Sequence, residues 1–306
     1  MKKFYSHGKL LITGEYAVLD GAKALALPTK YGQEMQVEST DKPEISWTSL
    51  DEKEDIWFGG SFILKNDNFF LKEENNKPSV LDSRLLQVLN AAKMLNPEFF
   101  SEKQGFKITT KLDFNRKWGL GSSSTLINNI ASWLNIDAYK LLEKTFGGSG
   151  YDIAAAQQDS AFTYQLIKGQ ASVLKSHFEP QFEDKLFFVY LNQKQNSREA
   201  IAHYRNQPRE NIDVLTDKIS GLTEQFLHCE TLHEFRVLMD LHETLISKAI
   251  NLPKIKTRLF PDFSGSIKSL GGWGGDFVLA TGSEEDQQYF RDKNYNTIIP
   301  FSKMKL

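Results

Sequence analysis

Three glycine-rich segments carry the residues whose types and spacing could do chemistry. Segment 118–125 reads Trp-Gly-Leu-Gly-Ser-Ser-Ser-Thr, and apolar residues at helical spacing follow it at once. A glycine turn that leads into a helix N-terminus presents backbone N–H groups at the positive end of the helix dipole, which favours phosphate binding. The serine hydroxyls add donors and could supply a magnesium ligand. A helix that is merely capped by serine is the alternative.

The second segment, 147–154, places one carboxylate, Asp152, in the first turn of a predicted helix. An acid there could act as a base, or it could only interact favourably with the helix dipole. The third segment, 270–277, has four glycines in five positions, which is costly in entropy unless the backbone contacts something. We favour a functional loop over a tight hairpin. No GxxxxGK[ST] motif occurs, nor a GxGxxG motif opening a helix, so neither P-loop nor dinucleotide chemistry is predicted.

Strands and helices must position these segments. Two-residue alternation predicts half-buried, antiparallel strands at 45–47, 57–64 and 106–112. Near-continuous apolar runs predict buried strands at 185–191 and 277–280. Apolar residues three and four apart predict helices over 82–95 and 232–249. The polar stretches 66–78 and 283–293 are typical of surface loops. The mixed order of elements favours an α+β fold.

Composition excludes several classes of protein. The 306 residues carry 37 Lys and Arg against 39 Asp and Glu, a net charge of −2, which argues against a nucleic-acid partner. A chain of this length favours two domains. The single cysteine, Cys229, rules out an intramolecular disulfide, and no Cys/His cluster could bind zinc. No stretch is apolar for long enough to predict a signal peptide or a membrane span, so we expect a cytoplasmic protein.

Together with segment 8–19, which contains Gly-Lys-Leu-Leu-Ile-Thr-Gly-Glu-Tyr, the three segments resemble the motifs of the GHMP kinases. That family is named for galactokinase, homoserine kinase, mevalonate kinase and phosphomevalonate kinase. In chain order, the segments are similar to its first motif, its phosphate-binding second motif, its catalytic-aspartate segment and its third motif. The resemblance spans most of the chain and implies the two-domain α+β GHMP-kinase fold. Residues 1–175 would form an ATP-binding, ribosomal protein S5 domain 2-like N-terminal domain, and residues 176–306 a ferredoxin-like C-terminal α/β sandwich.

Within the family, the motifs look more like those of phosphomevalonate kinases than of mevalonate kinases, which usually carry His at the position of Tyr16. The chain departs from the pattern at His7 and Asn115, where prolines are common, and at Trp273, which interrupts the third glycine run. The interval from Ser123 to Asp152 is also short. The resemblance implies ATP- and Mg²⁺-dependent transfer of the γ-phosphoryl group to phosphomevalonate or mevalonate. We expect a small anionic substrate, no nucleic-acid or membrane partner, and a monomer or homodimer.

The resemblance also assigns the site residues. Asp152 would be catalytic, and Lys9 would pair with it and keep it ionised. The ATP phosphates would be bound by Gly119, Leu120, Gly121, Ser122, Ser123 and Ser124. Mg²⁺ would be held by Ser123 and Glu143, although Glu143 could equally be a solvated helix residue. The substrate would be contacted by Glu15, Tyr16, Ser149, Gly150, Gly271, Gly272, Gly274 and Gly275. Tyr16 and Trp273 could instead only pack. Candidate cations for a substrate carboxylate are Lys111, Arg116 and Arg198.

Two other functions fit the same motifs. A diphosphomevalonate decarboxylase-like enzyme would share the fold, but the chain has Lys9 and lacks the serine-arginine segment of that enzyme. A catalytically silent regulator that binds a nucleotide or metabolite would explain the short interval before Asp152 and the presence of Trp273. A binder does not need both Lys9 and Asp152, so we favour the kinase.

Overall fold

The computed structural model describes residues 1–72 and 78–306, which form two compact units. The first unit consists of Met1–Gly8, Tyr31–Arg116 and Gly121–Gln157, and the second of Lys9–Lys30, Lys117–Leu120 and Gln158–Leu306. The predicted domains at 1–175 and 176–306 stay a prediction. No helix in the described ranges is long and apolar enough to cross a membrane.

The described residues contain twelve strands and ten α-helices. The strands are β1 (Lys2–Leu11), β2 (Ala24–Thr40), β3 (Ile45–Leu50), β4 (Ile56–Lys65), β5 (Asn68–Leu71), β6 (Gly105–Leu112), β7 (Phe162–Ile167), β8 (Gln170–Lys175), β9 (Leu186–Tyr190), β10 (Ile267–Leu270), β11 (Phe277–Thr281) and β12 (Ile298–Pro300). The helices are α1 (Val80–Leu95), α2 (Ser122–Leu134), α3 (Ala138–Thr145), α4 (Tyr151–Gln157), α5 (Ser197–Arg205), α6 (Ile212–His228), α7 (Leu232–Ala249), α8 (Ile255–Leu259), α9 (Asp286–Asp292) and α10 (Phe301–Met304).

The large sheet has the strand order β5-β4-β3-β6-β2-β7-β8, with β1 paired to β2. The alternation in β6 is confirmed, because Phe106, Ile108 and Leu112 are buried while Lys107 is exposed. The predicted antiparallel pairing is confirmed for β3 with β4 and for β6 with β2, but β3 runs parallel to β6. In the first unit, apolar residues of the strands and of α1, α2 and α3 form one buried cluster that contains Trp133.

The smaller sheet belongs to the second unit and has the antiparallel order β10-β11-β9-β12. All residues of β9 and β11 are buried, as their continuous apolar sequences predicted. The predicted helix over 232–249 is confirmed as α7. Strands β10 and β11 are joined by residues 271–276, so the third glycine segment is the loop of an antiparallel hairpin.

The two predicted surface loops were wrong in part. Stretch 66–78 contains strand β5, and its residues 73–77 lie outside the described residues. Stretch 283–293 contains helix α9. The Ser283 N–H donates to Asp286 Oδ2 (2.7 Å) at the start of this helix, and Phe290 is fully buried. Strand β5 and helix α9 each have one buried apolar residue, which is too few to give a periodic pattern in the sequence.

Candidate functional site

The N-terminus of α2 in the first unit presents four of the six predicted phosphate-binding residues, Gly121, Ser122, Ser123 and Ser124. Its N-cap is Gly121, in the left-handed conformation (φ +90°), and no side chain caps this end of the helix. A helix capped by serine is therefore not what the chain forms. Ser124 is buried and its Oγ donates to the Gly121 carbonyl (2.8 Å), whereas Ser123 is exposed. The uncapped first turn retains the amide groups and dipole that attract an anion.

The predicted acid, Asp152, lies in the first turn of α4, also in the first unit. It follows Gly150, whose φ is +85°, and its Oδ1 accepts the Ile153 N–H (3.1 Å). Burial, reinforced by the negative charge of Asp152, raises the pKa of Tyr139 on α3 to about 12. Asp152 as a whole is half-buried.

The residues predicted to bind metal offer a partial ligand set. Glu143 lies on the exposed face of α3, and the Ser123 side chain is exposed at the start of α2. Within the described ranges, no group of three or more His, Cys, Asp or Glu side chains could hold a metal ion. Mg²⁺ commonly takes one or two carboxylates and completes its shell with water and substrate phosphates. Ser123 and Glu143 supply oxygen donors of the kind that Mg²⁺ takes, and their assignment as its ligands stays a prediction.

In the second unit, Lys9 lies beside the glycine segment. Its backbone N–H donates to the Leu120 carbonyl (3.0 Å). This hydrogen bond joins segment 8–19 to the glycine segment 118–125. Gly119, next to Leu120, has φ +69° and packs against the carboxylate of Asp276. A Cβ at Gly119 would lie 2.5 Å from each carboxylate oxygen of Asp276, so only glycine allows this approach.

Asp276 follows the last glycine of the third segment, and the sequence assigned it no role in the site. Its side chain is buried at 5% exposure, and Oδ1 accepts the Gln195 N–H (3.2 Å). Burial raises its pKa, while the positive charges of Lys9 and Lys194 and the backbone N–H groups of Gln195 and Gly272 oppose this rise. A carboxylic residue directly before a fully apolar strand was the available signal. Asp276 therefore brings the third segment, Gly119 and the charge of Lys9 together.

The remaining glycines of the third segment also lie against other groups. A Cβ at Gly271 would lie 2.9 Å from Asp276 Oδ2, and one at Gly274 would lie 2.5 Å from the Arg258 guanidinium. At Gly272 and Gly275 it would overlap the side chain of Gln195. The segment is therefore a hairpin loop whose backbone is packed closely on its neighbours, and its functional role stays a prediction.

Tyr16 and Trp273 are joined in the second unit. Tyr16 has φ +60°, and its Oη accepts the backbone N–H of Trp273 (2.9 Å). The Tyr16 ring stacks on Tyr204 at 5.5 Å. The Trp273 side chain is buried at 7% exposure, and its Nε1 donates to the Pro253 carbonyl (3.0 Å). Both rings are packing residues in this structure; the assignment of Tyr16 to the substrate stays a prediction.

Glu15 is buried, although a residue that contacts a substrate must be exposed to the binding site. Its side chain is only 3% exposed and forms an ion pair with Lys268, which is fully buried. The candidate cations for a substrate carboxylate are also engaged: Lys111 pairs with Glu54, and Arg116 lies over the Trp57 ring at 4.1 Å. Arg198 is exposed in the first turn of α5.

The structure therefore groups the predicted site residues by unit. The second unit brings together Lys9, Glu15, Tyr16, Gly119, Leu120 and the glycines of the third loop. The first unit contains Gly121, Ser122, Ser123, Ser124, Glu143, Ser149, Gly150 and Asp152. The pairing of Lys9 with Asp152 stays a prediction.

Comparison with solved structures identifies the fold. The mevalonate kinase of Methanococcus jannaschii is 17% identical, with 97% of this chain and 96% of that chain covered at a TM-score of 0.69. The phosphomevalonate kinase of Streptococcus pneumoniae, solved with phosphomevalonate and AMPPNP, is 15% identical, with 96% of each chain covered at a TM-score of 0.66.

The chain has the fold of the GHMP kinases. Its large mixed sheet and smaller second sheet match their two-domain architecture, so the fold predicted from the motifs is confirmed. The GHMP-kinase fold is not limited to kinases, because a mevalonate diphosphate decarboxylase from Legionella pneumophila also matches. It is 10% identical, with 97% of this chain and 99% of that chain covered at a TM-score of 0.59. The sequence matches no protein-family model, and no curated protein is significantly similar to it.

Proposed function

We propose that the chain is an ATP-dependent kinase that transfers the γ-phosphoryl group to phosphomevalonate or mevalonate. The observation that carries this proposal is the hydrogen bond from the Lys9 N–H to the Leu120 carbonyl (3.0 Å), which holds a lysine beside the glycine turn. The uncapped N-terminus of α2 and the approach of Asp276 to Gly119 support it further. A lysine, a glycine turn and a helix N-terminus are among the parts that hold phosphates during phosphoryl transfer.

In this proposal the chain binds the nucleotide mainly through its backbone. The amides of Ser122, Ser123 and Ser124 bind phosphate oxygens at the start of α2. Ser123 and Glu143 would hold Mg²⁺, which when bound neutralises charge on the phosphates. Because the whole chain is close to neutral, the attraction for an anionic ligand must be local.

Asp152 and Lys9 are the proposed catalytic residues. With mevalonate, the hydroxyl oxygen of the substrate attacks the γ-phosphorus, and the bond between that phosphorus and the ADP oxygen breaks. A carboxylate oxygen of Asp152 accepts the proton that the substrate hydroxyl loses. With phosphomevalonate the acceptor is already an anion, and Asp152 orients it and holds nearby cations. Lys9 keeps Asp152 ionised and draws charge toward the reacting oxygen.

The choice of acceptor rests on the motifs. Tyr16 stands where mevalonate kinases usually carry His, and this favours phosphomevalonate. A solved structure of the same fold carries phosphomevalonate with AMPPNP. The decarboxylase alternative is less well supported because the chain has Lys9.

A coupled assay of ADP release with ATP and Mg²⁺ tests the proposal over phosphomevalonate, mevalonate, homoserine and galactose. We expect turnover with phosphomevalonate or mevalonate, and a new phosphate ester in the ³¹P spectrum. Release of carbon dioxide from the diphosphate would indicate the decarboxylase instead. Calorimetric binding of ATP with no turnover of any acceptor would indicate the regulator and reject the kinase.

A further inference from the structure

Four ionisable side chains are enclosed together in the second unit, and the family resemblance assigns a role to only one of them, Glu15. They are Glu15, His242, Glu243 and Lys268, and none is more than 3% exposed. Lys268 pairs with Glu15, and His242 Nε2 lies 3.3 Å from Glu15 Oε2. Glu243 Oε1 accepts the Ser269 N–H (3.0 Å). Desolvating so many ionisable groups is costly, and replacing a buried ion pair by apolar residues is often neutral or stabilising.

Hydrogen bonds and burial together indicate which side chains of this cluster are protonated. Nε2 of His242 accepts the backbone N–H of Gly14 (3.0 Å), so this nitrogen carries no proton. Burial and the positive charge of Lys268 hold the pKa of His242 well below its ordinary value, which keeps the ring neutral. Burial raises the pKa of Glu243 to about 8, which keeps that carboxyl protonated near neutral pH. Burial raises the pKa of Glu15 while the Lys268 ammonium lowers it, and the two side chains form the ion pair of the cluster.

The cluster is connected to both loops of the proposed site. His242 accepts the N–H of Gly14, the residue before Glu15. Tyr16, the residue after Glu15, has a positive φ, and its hydroxyl accepts the Trp273 N–H. On the other side, Lys268 lies in β10, immediately before the third glycine loop. Its ammonium group also donates to the Ser269 carbonyl (3.1 Å). The pair therefore joins loop 12–16 to the strand that leads into loop 271–276.

We propose that Glu15 and Lys268 are positioning residues, which fix the Tyr16 loop and the third glycine loop in the geometry needed for catalysis. Glu15 then acts through Tyr16 and Trp273 and does not contact the substrate. The inference rests on the proposed kinase function, and it replaces the role that family resemblance implies for Glu15. The inference predicts that loss of the Glu15–Lys268 pair changes the arrangement of the two loops even in a variant that still folds.

The double variant Glu15→Gln/Lys268→Met separates these roles. Each single change leaves one buried charge unpaired and should destabilise the protein, whereas the double change removes both charges and should recover most of the stability. We expect the double variant to retain a kcat/KM that is about 10- to 100-fold below wild type, because misplaced loops impair alignment. We also expect faster amide exchange in residues 271–276 with unchanged exchange in β9.

A surface pair in the same unit provides the matched control. Lys23 and Glu224 form an ion pair at partly exposed positions, and Lys23→Met/Glu224→Gln should change neither the kinetics nor the exchange of the third loop. Wild-type kcat/KM and wild-type exchange in a stable Glu15→Gln/Lys268→Met variant would overturn the proposal.

Two further outcomes are decided separately. Where the double variant does not fold, Tyr16→Phe removes the acceptor for the Trp273 N–H and leaves the pair intact. It should accelerate exchange of that amide and lower kcat/KM; unchanged values of both would contradict the proposal. Where the wild-type protein has no kinase activity, the proposed function fails, but the exchange of residues 271–276 still decides whether the pair positions the loop.

Discussion

The carboxylate of Asp276 occupies the space that a side chain at Gly119 would need. A Cβ at that position would lie 2.5 Å from both carboxylate oxygens, and the backbone of Gly119 is already left-handed. The second and third glycine segments, 157 residues apart by numbering (276 minus 119), are therefore in van der Waals contact through a buried acid. This contact makes the glycine a requirement of packing as well as of backbone conformation.

Gly119→Ala should lower the free energy of unfolding more than an alanine at another glycine with positive φ. Gly147 has φ +64° and nothing within 4 Å of its Cβ position, so Gly147→Ala carries only the conformational cost, about 1–2 kcal/mol. Gly119→Ala adds an overlap with Asp276, and overpacking of this kind costs about 1–3 kcal/mol more. Denaturant unfolding of both variants measures the difference.

The overlap can be tested by removing its other partner. In an Asp276→Ala background the carboxylate is absent, so Gly119→Ala should then cost no more than Gly147→Ala does. A double-mutant cycle from the same unfolding measurements gives the coupling energy. Equal costs of Gly119→Ala in both backgrounds would show that the contact is not what constrains this glycine.

Two of the serines at the start of α2, Ser123 and Ser124, should have separable roles. Ser123→Ala removes an exposed hydroxyl and should leave the free energy of unfolding unchanged, while ATP-dependent turnover falls by about 100-fold, as on loss of one preorganised group. Ser124→Ala removes the bond to the Gly121 carbonyl and should cost up to about 1 kcal/mol of stability. Steady-state kinetics and thermal unfolding of the two variants distinguish a ligand-binding serine from a structural one. Equal kinetic losses would contradict this division.

Asp152→Asn should abolish most of the activity without unfolding the protein. Loss of a general base typically costs about 10²- to 10⁴-fold in rate, and the amide keeps the size of the carboxylate. Asp159, an exposed acid that pairs with Lys175 in the same chain region, provides the control. Asp159→Asn should retain wild-type kcat. Unchanged kcat in Asp152→Asn with mevalonate as acceptor would remove Asp152 from the proposed mechanism.

The stability of the protein should fall as pH rises from about 6.5 to about 8, partly because of Glu243. Burial, with a smaller contribution from Glu15, raises the pKa of Glu243 to about 8, while Lys268 opposes the rise. The folded state therefore keeps a proton that the unfolded chain loses near pH 4.5, and binding more protons when folded makes stability decrease with pH. Neutral His242 has the opposite effect, but only below about pH 6.5, where the unfolded chain takes up a proton.

Glu243→Gln tests this sign. The amide oxygen can still accept the Ser269 N–H, but the group no longer titrates. We expect a smaller decrease in the free energy of unfolding between pH 6.5 and 8, and a variant more stable than wild type at pH 8. Urea unfolding across this range measures both. An unchanged slope would mean that Glu243 is already ionised in the folded protein.

The elements with long, regular patterns could be predicted from the sequence. The alternation in β6 follows from the pleat of a half-buried strand, and α7 from an apolar stripe at helical spacing. Strand β5 was missed because it has only four residues, of which Phe69 is buried and Phe70 is half exposed. Such a segment resembles a polar loop that contains two aromatic residues.

The candidate site was predictable where local sequence determines the backbone. Glycine runs and a carboxylate after them predicted the start of α2 and the placement of Asp152 on α4. The cluster around Lys268 was not predictable, because charged residues are normally exposed and Glu15 is 253 residues from Lys268. His242 lies among the buried residues of α7, at helical spacing from Leu238 and Met239, so the pattern does not distinguish it from a core residue.

Tyr16 and Asp276 both have left-handed backbones, at φ +60° and +53°, although neither is a glycine. Such conformations cost about 1–3 kcal/mol each, so the fold tolerates strain at two positions of its proposed site. Glycine would relieve the strain at either position, but it would also remove the buried Tyr16 ring or the Asp276 carboxylate that accepts the Gln195 N–H. Backbone strain and side-chain contacts therefore oppose one another at the same two residues, and a library that varies both positions would show which of them a selection for thermal stability favours.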